Sequence, residues 1–309
     1  MAAISRTPSL LDRLPAVRGR YEPEGAIARY TWFRVGGPAE VLFRPADVTD
    51  LANFLASRPA DVPVTVLGAG SNLLVRDGGV EGVVIRLGRP FSTIRVDGAT
   101  IQAGAMALDY NVAKAARDAG VAGFEFMVGI PGTVGGGLRM NAGAYGREFK
   151  DVIQDVTALT PSGEIRVLTP EDWGPRYRGS AVPADWIFVG CTMTGAWGNK
   201  DEIARAMALV QESREETQPI RTRTGGSTFK NPNGQKAWEL VDKAGCRGLR
   251  LGGAQVSEKH CNFLVNTGNA TAADIEGLGE EVRRRVREAT GVELTWELER
   301  IGVAAGGDA

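Results

Sequence analysis

Hydrophobic spacing divides the chain into a mixture of helices and short strands. Residues 46–57 place Leu51, Phe54 and Leu55 on one side, the spacing of a helix with one buried face, and VPVTVL at 62–67 follows as a buried strand running into a glycine turn. VVIRL at 83–87, IRV at 94–96 and TIQAG at 100–104 predict further short strands separated by Gly and Asp. The spacing of Leu108, Val112, Ala115 and Ala119 then predicts a helix over 108–119 that stops at Gly120. Between 129 and 146 the glycine density predicts an embedded loop, after which DVIQDVTAL at 151–159 resumes as a strand. WIFVGCTMTGAW at 186–197 is a long strand. Asn199 and Glu202 have the spacing of a capping box for a helix that carries Ile203, Met207 and Val210. CNFLVN at 261–266 is a buried strand, and Thr271 caps a helix with Ile275, Leu278, Val282 and Val286 on its apolar face, ended by Gly291. The boundary between two α/β units is expected near residue 200, with no internal repeat or low-complexity tract.

Composition narrows the classes. A chain of 309 residues with 43% hydrophobic and 24% charged residues is globular and long enough for two domains. Thirty-six basic against 37 acidic residues leave a net charge of −1, so any nucleotide must be held by local groups rather than by bulk field, and nucleic acid is not an expected partner. Cys191, Cys246 and Cys261 are odd in number and contain no CxxC pair, which indicates neither a disulfide framework nor a zinc site and points to a reducing cytoplasm. Residues 1–20 lack the apolar run of a signal peptide and no stretch approaches a membrane span, so a soluble protein with a loose N-terminal tail is expected. His260 is the only histidine, which excludes a multi-histidine metal centre.

Two glycine-rich segments carry the candidate chemistry. In LGAGSN at 67–72, amides freed by Gly68 and Gly70 can cradle a pyrophosphate, with Ser71 and Asn72 as donors; a tight turn without a ligand explains the same residues. A dinucleotide fingerprint would require glycine where Leu73 stands, and LLVRDGG does not make the helix that should follow, so Rossmann geometry is disfavoured. GIPGTVGGG at 129–137 loses much chain entropy on folding, which suits the close approach of a flat or charged group, although a string of surface turns is the alternative. A planar ring with a phosphate tail would suit both segments together.

TWFRVGGPA at 31–39, LGAGSNLLV at 67–75, GIPGTVGGGLRMNAGAYG at 129–146, YRGS at 177–180, GGSTFKNP at 225–232 and WELERIG at 296–302 occur in an order that resembles the UDP-N-acetylenolpyruvoylglucosamine reductase family, also called UDP-N-acetylmuramate dehydrogenases. The resemblance implies an α+β fold: a two-part FAD-binding domain of the vanillyl-alcohol-oxidase type over 21–199, then a smaller α/β substrate-binding domain over 200–302, with tails at 1–20 and 303–309. It implies non-covalent FAD, NADPH as co-substrate, and reduction of the enolpyruvyl ether of UDP-N-acetylglucosamine for cell-wall peptidoglycan. Carried onto this chain, it makes Arg178 the clamp for the substrate carboxylate, Ser227 the proton donor to carbon and Glu297 a stabiliser of the enolate, with a pKa raised by burial. It places the cofactor on Gly68, Ala69, Gly70, Ser71, Asn72, Gly132, Thr133, Gly135, Gly136, Asn141 and Ala142. Lys230, Asn231, Arg221, Arg223, His260 and Asn262 fall to the substrate. Some members carry a tyrosine-bearing lid between the arginine and the serine; no tyrosine follows Tyr177 here, so the chain resembles the subgroup without it. Two other readings fit the glycine loops: an oxygen-using flavin oxidase acting on an alcohol or sugar, and a nucleotide-sugar binder without turnover.

Overall fold

A computed structural model describes residues 9–232 and 234–306. Three sheets organise it. The first runs in the order Arg20–Gly25, Ala39–Arg44, Val80–Arg86, Val64–Leu67, with the last two connections parallel. The helix Val48–Ser57 packs Leu51, Phe54 and Leu55 against it, and the side chain of Asp47 caps that helix by accepting from the amide of Asp50. The second sheet is antiparallel, ordered Ile165–Leu168, Ile153–Leu159, Ile187–Thr194, Thr100–Gly104, Ile94–Asp97. The third, Arg223–Ser227, Phe263–Asn266, Ala254–Val256 and Arg250–Leu251, is covered by the helix Ala272–Thr290. Ile275, Leu278, Val282 and Val286 of that helix are at most 1% exposed. Burying each contributes roughly 2 kcal/mol, enough to fix which face turns inward. Thr271 closes its N-terminus in a capping box with Asp274, and Gly291 takes the left-handed conformation past its end.

The structure departs from sequence expectation in five places. The glycine-rich stretch is not all loop: Val134–Met140 form a helix in spite of Gly135, Gly136 and Gly137. Burial of Val134 and Leu138 outweighs the poor helix propensity of glycine, and a Cβ on Gly137 would lie 2.2 Å from the Phe149 ring, so glycine there is a packing requirement. The long strand breaks at Gly195 into Ile187–Thr194 and Ala196–Trp197. Leu108 lies just before the helix Asp109–Ala119 and is 47% exposed, whereas Val112, Ala113 and Ala116 form the buried face. Asn199 caps the helix Lys200–Thr217 through its side chain, but Ile203 and Met207 of that helix belong to the core beneath the second sheet, so it packs on the N-terminal unit rather than on the third sheet. Within the expected tail over 1–20, Leu10–Arg13 are helical and Leu10, Leu14 and Val17 pack against the first sheet's core. Residues 1–8 and 307–309 of the two expected tails lie outside the described residues.

One pairing positions the site. Leu73–Val75, directly after the first glycine turn, pairs in parallel with Glu299–Ile301 near the end of the chain. LLVRDGG therefore opens as a strand, Leu73–Val75, and turns at residues 76–79 without forming a phosphate-binding helix; the strand's partner is the segment that follows Glu297.

Candidate active site

The first glycine turn is pressed against the chain beside it. Gly70 has φ +64°, and a Cβ there would meet the carbonyl oxygen of Tyr30 at 2.4 Å, so only glycine fits. Trp32 donates its amide to the carbonyl of Gly70 at 3.0 Å. The second glycine segment faces the first: a Cβ on Gly68 would lie 3.3 Å from Thr133 Oγ1, and one on Gly136 3.9 Å from the same oxygen. Gly132 and Gly135 instead turn toward protein, Gly132 toward Asp109 and Gly135 toward Ala105. The glycines therefore divide between those that let backbones pack and those that leave a cleft open.

That cleft meets the C-terminal unit at Ser227. A Cβ on Gly226, which has φ +79°, would lie 3.7 Å from the carbonyl oxygen of Ser71 and touch nothing closer. Asn72 donates its side-chain amide to the carbonyl of Glu297 at 3.0 Å and accepts the amide of Glu299 at 3.1 Å. Glu297 in turn donates its amide to the carbonyl of Thr228 at 2.9 Å, which ties it to the residue after Ser227. Across the cleft, Arg178 Nε donates to Glu297 Oε1 at 2.7 Å, with the two side chains 23% and 13% exposed. Arg178, Ser227 and Glu297, scattered in sequence, are thus brought to one place.

Arg178 sits third in a tight turn in which Arg176 and Gly179 exchange backbone hydrogen bonds at 2.8 and 3.2 Å. Its φ of +54° is unfavourable for a residue with a Cβ, the kind of strain that persists where the surroundings fix the backbone for a purpose. Burial pushes the Glu297 carboxyl above its ordinary pKa, and this outweighs the opposing pull of Arg178 and of Lys230. The direction expected from sequence holds. Ser180 Oγ and Thr228 Oγ1, beside Arg178 and Ser227, are buried without a hydrogen-bond partner among the described residues. Neither was singled out from sequence, where a serine and a threonine flanking glycine turns carry no distinguishing signal.

Several side chains expected at the ligands also make hydrogen bonds within the protein. Asn262 is 4% exposed; its side-chain amide donates to the carbonyl of Phe229 at 2.8 Å and its Oδ1 accepts the amide of Phe229 at 3.0 Å, so it braces the residue after Thr228. Asn141 is fully buried, its side chain bonded to Arg176, Glu148 and Lys150. Asn231 Oδ1 accepts the amide of Ala237 at 2.9 Å and so opens the helix Ala237–Lys243. His260 Nδ1 accepts the amide of Asn262 at 3.2 Å, and its ring lies edge-on to Phe263 at 4.7 Å; burial holds its pKa below the ordinary histidine value. Ala142 donates its amide to Gly137 and is partly buried. Arg221 and Arg223 are exposed, and Lys230 is close enough to influence Glu297.

A cavity of about 300 Å³ opens between the glycine segments and the helix Lys200–Thr217, with Trp32, Ala69, Tyr110, Ile130, Gly132 and Arg214 among its walls. Its lining is largely apolar and aromatic, the kind of surface that takes a flat ring system. A larger cavity of about 540 Å³ is bordered by Glu24, Glu40, Asp61 and Glu81 and by none of the site residues; its carboxylates would repel a phosphate.

Asp109, also unmarked in sequence, is fully buried behind Gly132, and neither carboxyl oxygen has a partner among the described residues. Burial raises its pKa well above the ordinary value. The folded state therefore binds this proton more tightly than the unfolded chain does, and stability falls as pH rises from the unfolded value toward the folded one. Asp109→Asn cannot ionise. Its melting temperature should match that of the native protein near pH 4 and exceed it by a growing margin toward pH 8, as scanning calorimetry in a pH series would show. A constant margin would assign the effect to packing.

Two family profiles match the chain: one described as FAD binding domain covers residues 39–169, and one described as UDP-N-acetylenolpyruvoylglucosamine reductase, C-terminal domain, covers 218–301. The UDP-N-acetylenolpyruvoylglucosamine reductase of Parvibaculum lavamentivorans is 60% identical over 303 residues, 98% of each chain. The protein of the same name from Rhodospirillum rubrum is 59% identical over 312 residues, 99% of this chain and 98% of the other. Among solved structures, the crystal structure of UDP-N-acetylenolpyruvylglucosamine reductase from Thermus caldophilus superposes with a TM-score of 0.79 at 37% identity, covering 93% of this chain and all of that one.

Proposed function

Because the chain belongs to the UDP-N-acetylenolpyruvoylglucosamine reductase family, we propose that Arg178, Glu297 and Ser227 are its catalytic residues. The protein is an FAD-dependent oxidoreductase that uses NADPH to reduce the enolpyruvyl ether of UDP-N-acetylglucosamine to UDP-N-acetylmuramate, a step in peptidoglycan synthesis. When bound, the flavin supplies the hydride chemistry, from NADPH to the substrate carbon β to the carboxylate. Gly68–Asn72 and the segment from Gly132 to Gly136 hold the cofactor in this reading, supported by the open cleft between Gly68, Gly136 and Thr133 Oγ1.

The demands on the protein follow from the substrate. As the β carbon becomes a methyl group, negative charge grows on the carboxylate and the α carbon becomes basic. Arg178 supplies a fixed cation for that charge. Glu297, whose carboxyl burial pushes above its ordinary pKa, donates a hydrogen bond to the same group when it carries a proton. Ser227 delivers its hydroxyl proton to the α carbon, completing the lactyl ether, and recovers a proton from solvent. Lys230, Arg221 and Arg223 offer cations for the diphosphate. The observation that carries this reading is the 2.7 Å contact between Arg178 and Glu297, which joins residues of the two units beside Ser227. We assign residues 21–199 to cofactor binding and 200–302 to the substrate, with Lys200–Thr217 packed on the former. The three cysteines are buried and unpaired, and no helix among the described residues is long and apolar enough to cross a membrane; both suit a cytoplasmic enzyme.

The purified protein should be yellow. Anaerobic NADPH should bleach it, and the enolpyruvyl sugar should restore the colour. Recolouring only by oxygen would favour the oxidase reading, and a colourless protein that takes up no FAD would end both enzyme readings.

A further inference from the structure

We propose that Asn141 is a positioning residue for substrate recognition: it holds the turn that presents Arg178, and so couples the cofactor-side helix Val134–Met140 to capture of the substrate carboxylate. The proposal rests on the reading of Arg178 given above. Asn141 ends that helix in the left-handed conformation, φ 39° and ψ 54°. Its side chain is fully buried and nearly saturated. Nδ2 donates to the carbonyl of Arg176 at 3.2 Å and to Glu148 Oε2 at 3.0 Å, and Oδ1 accepts the amide of Lys150 at 3.0 Å. The carbonyl of Arg176 is the one that closes the Arg178 turn by accepting from Gly179. One side-chain amide therefore connects the end of the helix, the strand at Arg147–Glu148 and the first residue of a turn whose third residue is Arg178. The turn is strained at Arg178 and exposed at Tyr177, so its direction depends on what grips Arg176. Without that grip, Arg178 keeps its charge but loses its aim toward Glu297 and the carboxylate. A misplacement of about 1 Å can cost about two orders of magnitude where a charged pair must meet at hydrogen-bond distance.

Asn141→Gly tests this, because glycine keeps the left-handed backbone and removes only the amide. Binding of two ligands to the oxidised holoenzyme is measured by calorimetry: the enolpyruvyl ether of UDP-N-acetylglucosamine, which carries the carboxylate, and UDP-N-acetylglucosamine, which does not. Affinity for the first should fall about tenfold or more, affinity for the second should stay within about twofold, and adding Asn141→Gly to Arg178→Ala should cause no further loss. Asn141→Asp keeps the acceptor for Lys150 but sets an oxygen against the Arg176 carbonyl, and should show the same selective loss if the glycine variant does not fold. Equal weakening of both ligands, no weakening, or losses that add to those of Arg178→Ala would overturn the proposal. If Arg178→Ala itself fails to discriminate the two ligands, the role assigned to Arg178 is what fails.

Discussion

Ser227→Ala should reduce with NADPH at nearly the native rate and reoxidise with the enolpyruvyl sugar about 10²–10⁴-fold more slowly, the span a positioned general acid contributes. Ser227 ends the strand Arg223–Ser227, opposite Phe263, at the rim where Gly226 faces Ser71. Alanine removes one oxygen from a partly buried position and leaves the backbone pairing in place, so the fold and the cofactor loops should tolerate it. The asymmetry between half-reactions is the informative result. Flavin reduction by nicotinamide calls on no proton from Ser227, whereas completing the lactyl ether calls on one at the α carbon. Anaerobic stopped-flow absorbance reads each half separately. In deuterium oxide, the native second half should slow and the residual rate of the variant should show a different solvent isotope effect, because another donor then supplies the proton. Equal slowing of both halves would place Ser227 in the cofactor shell.

Much of this arrangement was legible from sequence wherever a local pattern has one physical meaning. The face of Ile275, Leu278, Val282 and Val286 and its stop at Gly291 follow from a 3.6-residue period and a left-handed cap. Gly70 was visible as a turn residue because positive φ selects glycine. The helix Val134–Met140 was not, because its glycines are chosen by the neighbours they touch, above all Phe149, and tertiary contact leaves no periodic trace. The same limit applies to Asn141 and Asn262. Both stand in segments rich in ligand-like residues, and only coordinates reveal that their amides are consumed by Arg176 and Phe229. Asp109 is the opposite case: an acidic residue at the start of a helix has an ordinary surface explanation, and its burial behind Gly132 follows from the path of a loop more than twenty positions later. The convergence of Arg178 and Glu297 depends on the parallel pairing of Leu73–Val75 with Glu299–Ile301, a contact between distant parts of the chain that no window of sequence contains.

Arg178→Ala should cost about two orders of magnitude in affinity for the carboxylate-bearing substrate while free FAD binds nearly as well as before, since a charge-assisted hydrogen bond is worth about 1.5–3 kcal/mol and Arg178 can offer more than one. Its effect on stability should carry a pH signature. In the native protein the guanidinium opposes the rise that burial imposes on the Glu297 carboxyl. Removing it leaves Lys230 as the remaining cation acting on that group, so the folded-state pKa of Glu297 climbs further from its unfolded value. A carboxyl whose pKa is raised by folding gives up stability as pH increases above the unfolded value, and it gives up more when the rise is larger. The melting temperature of Arg178→Ala should therefore lie close to that of the native protein near pH 4 and fall progressively below it toward pH 8. Arg178→Ala/Glu297→Gln, which has no carboxyl to strand, should lose that pH dependence and yet bind the substrate no better than Arg178→Ala. A gap that stays constant across the series would mean that Arg178 supports the fold by packing alone, and that Glu297 keeps its proton balance without it.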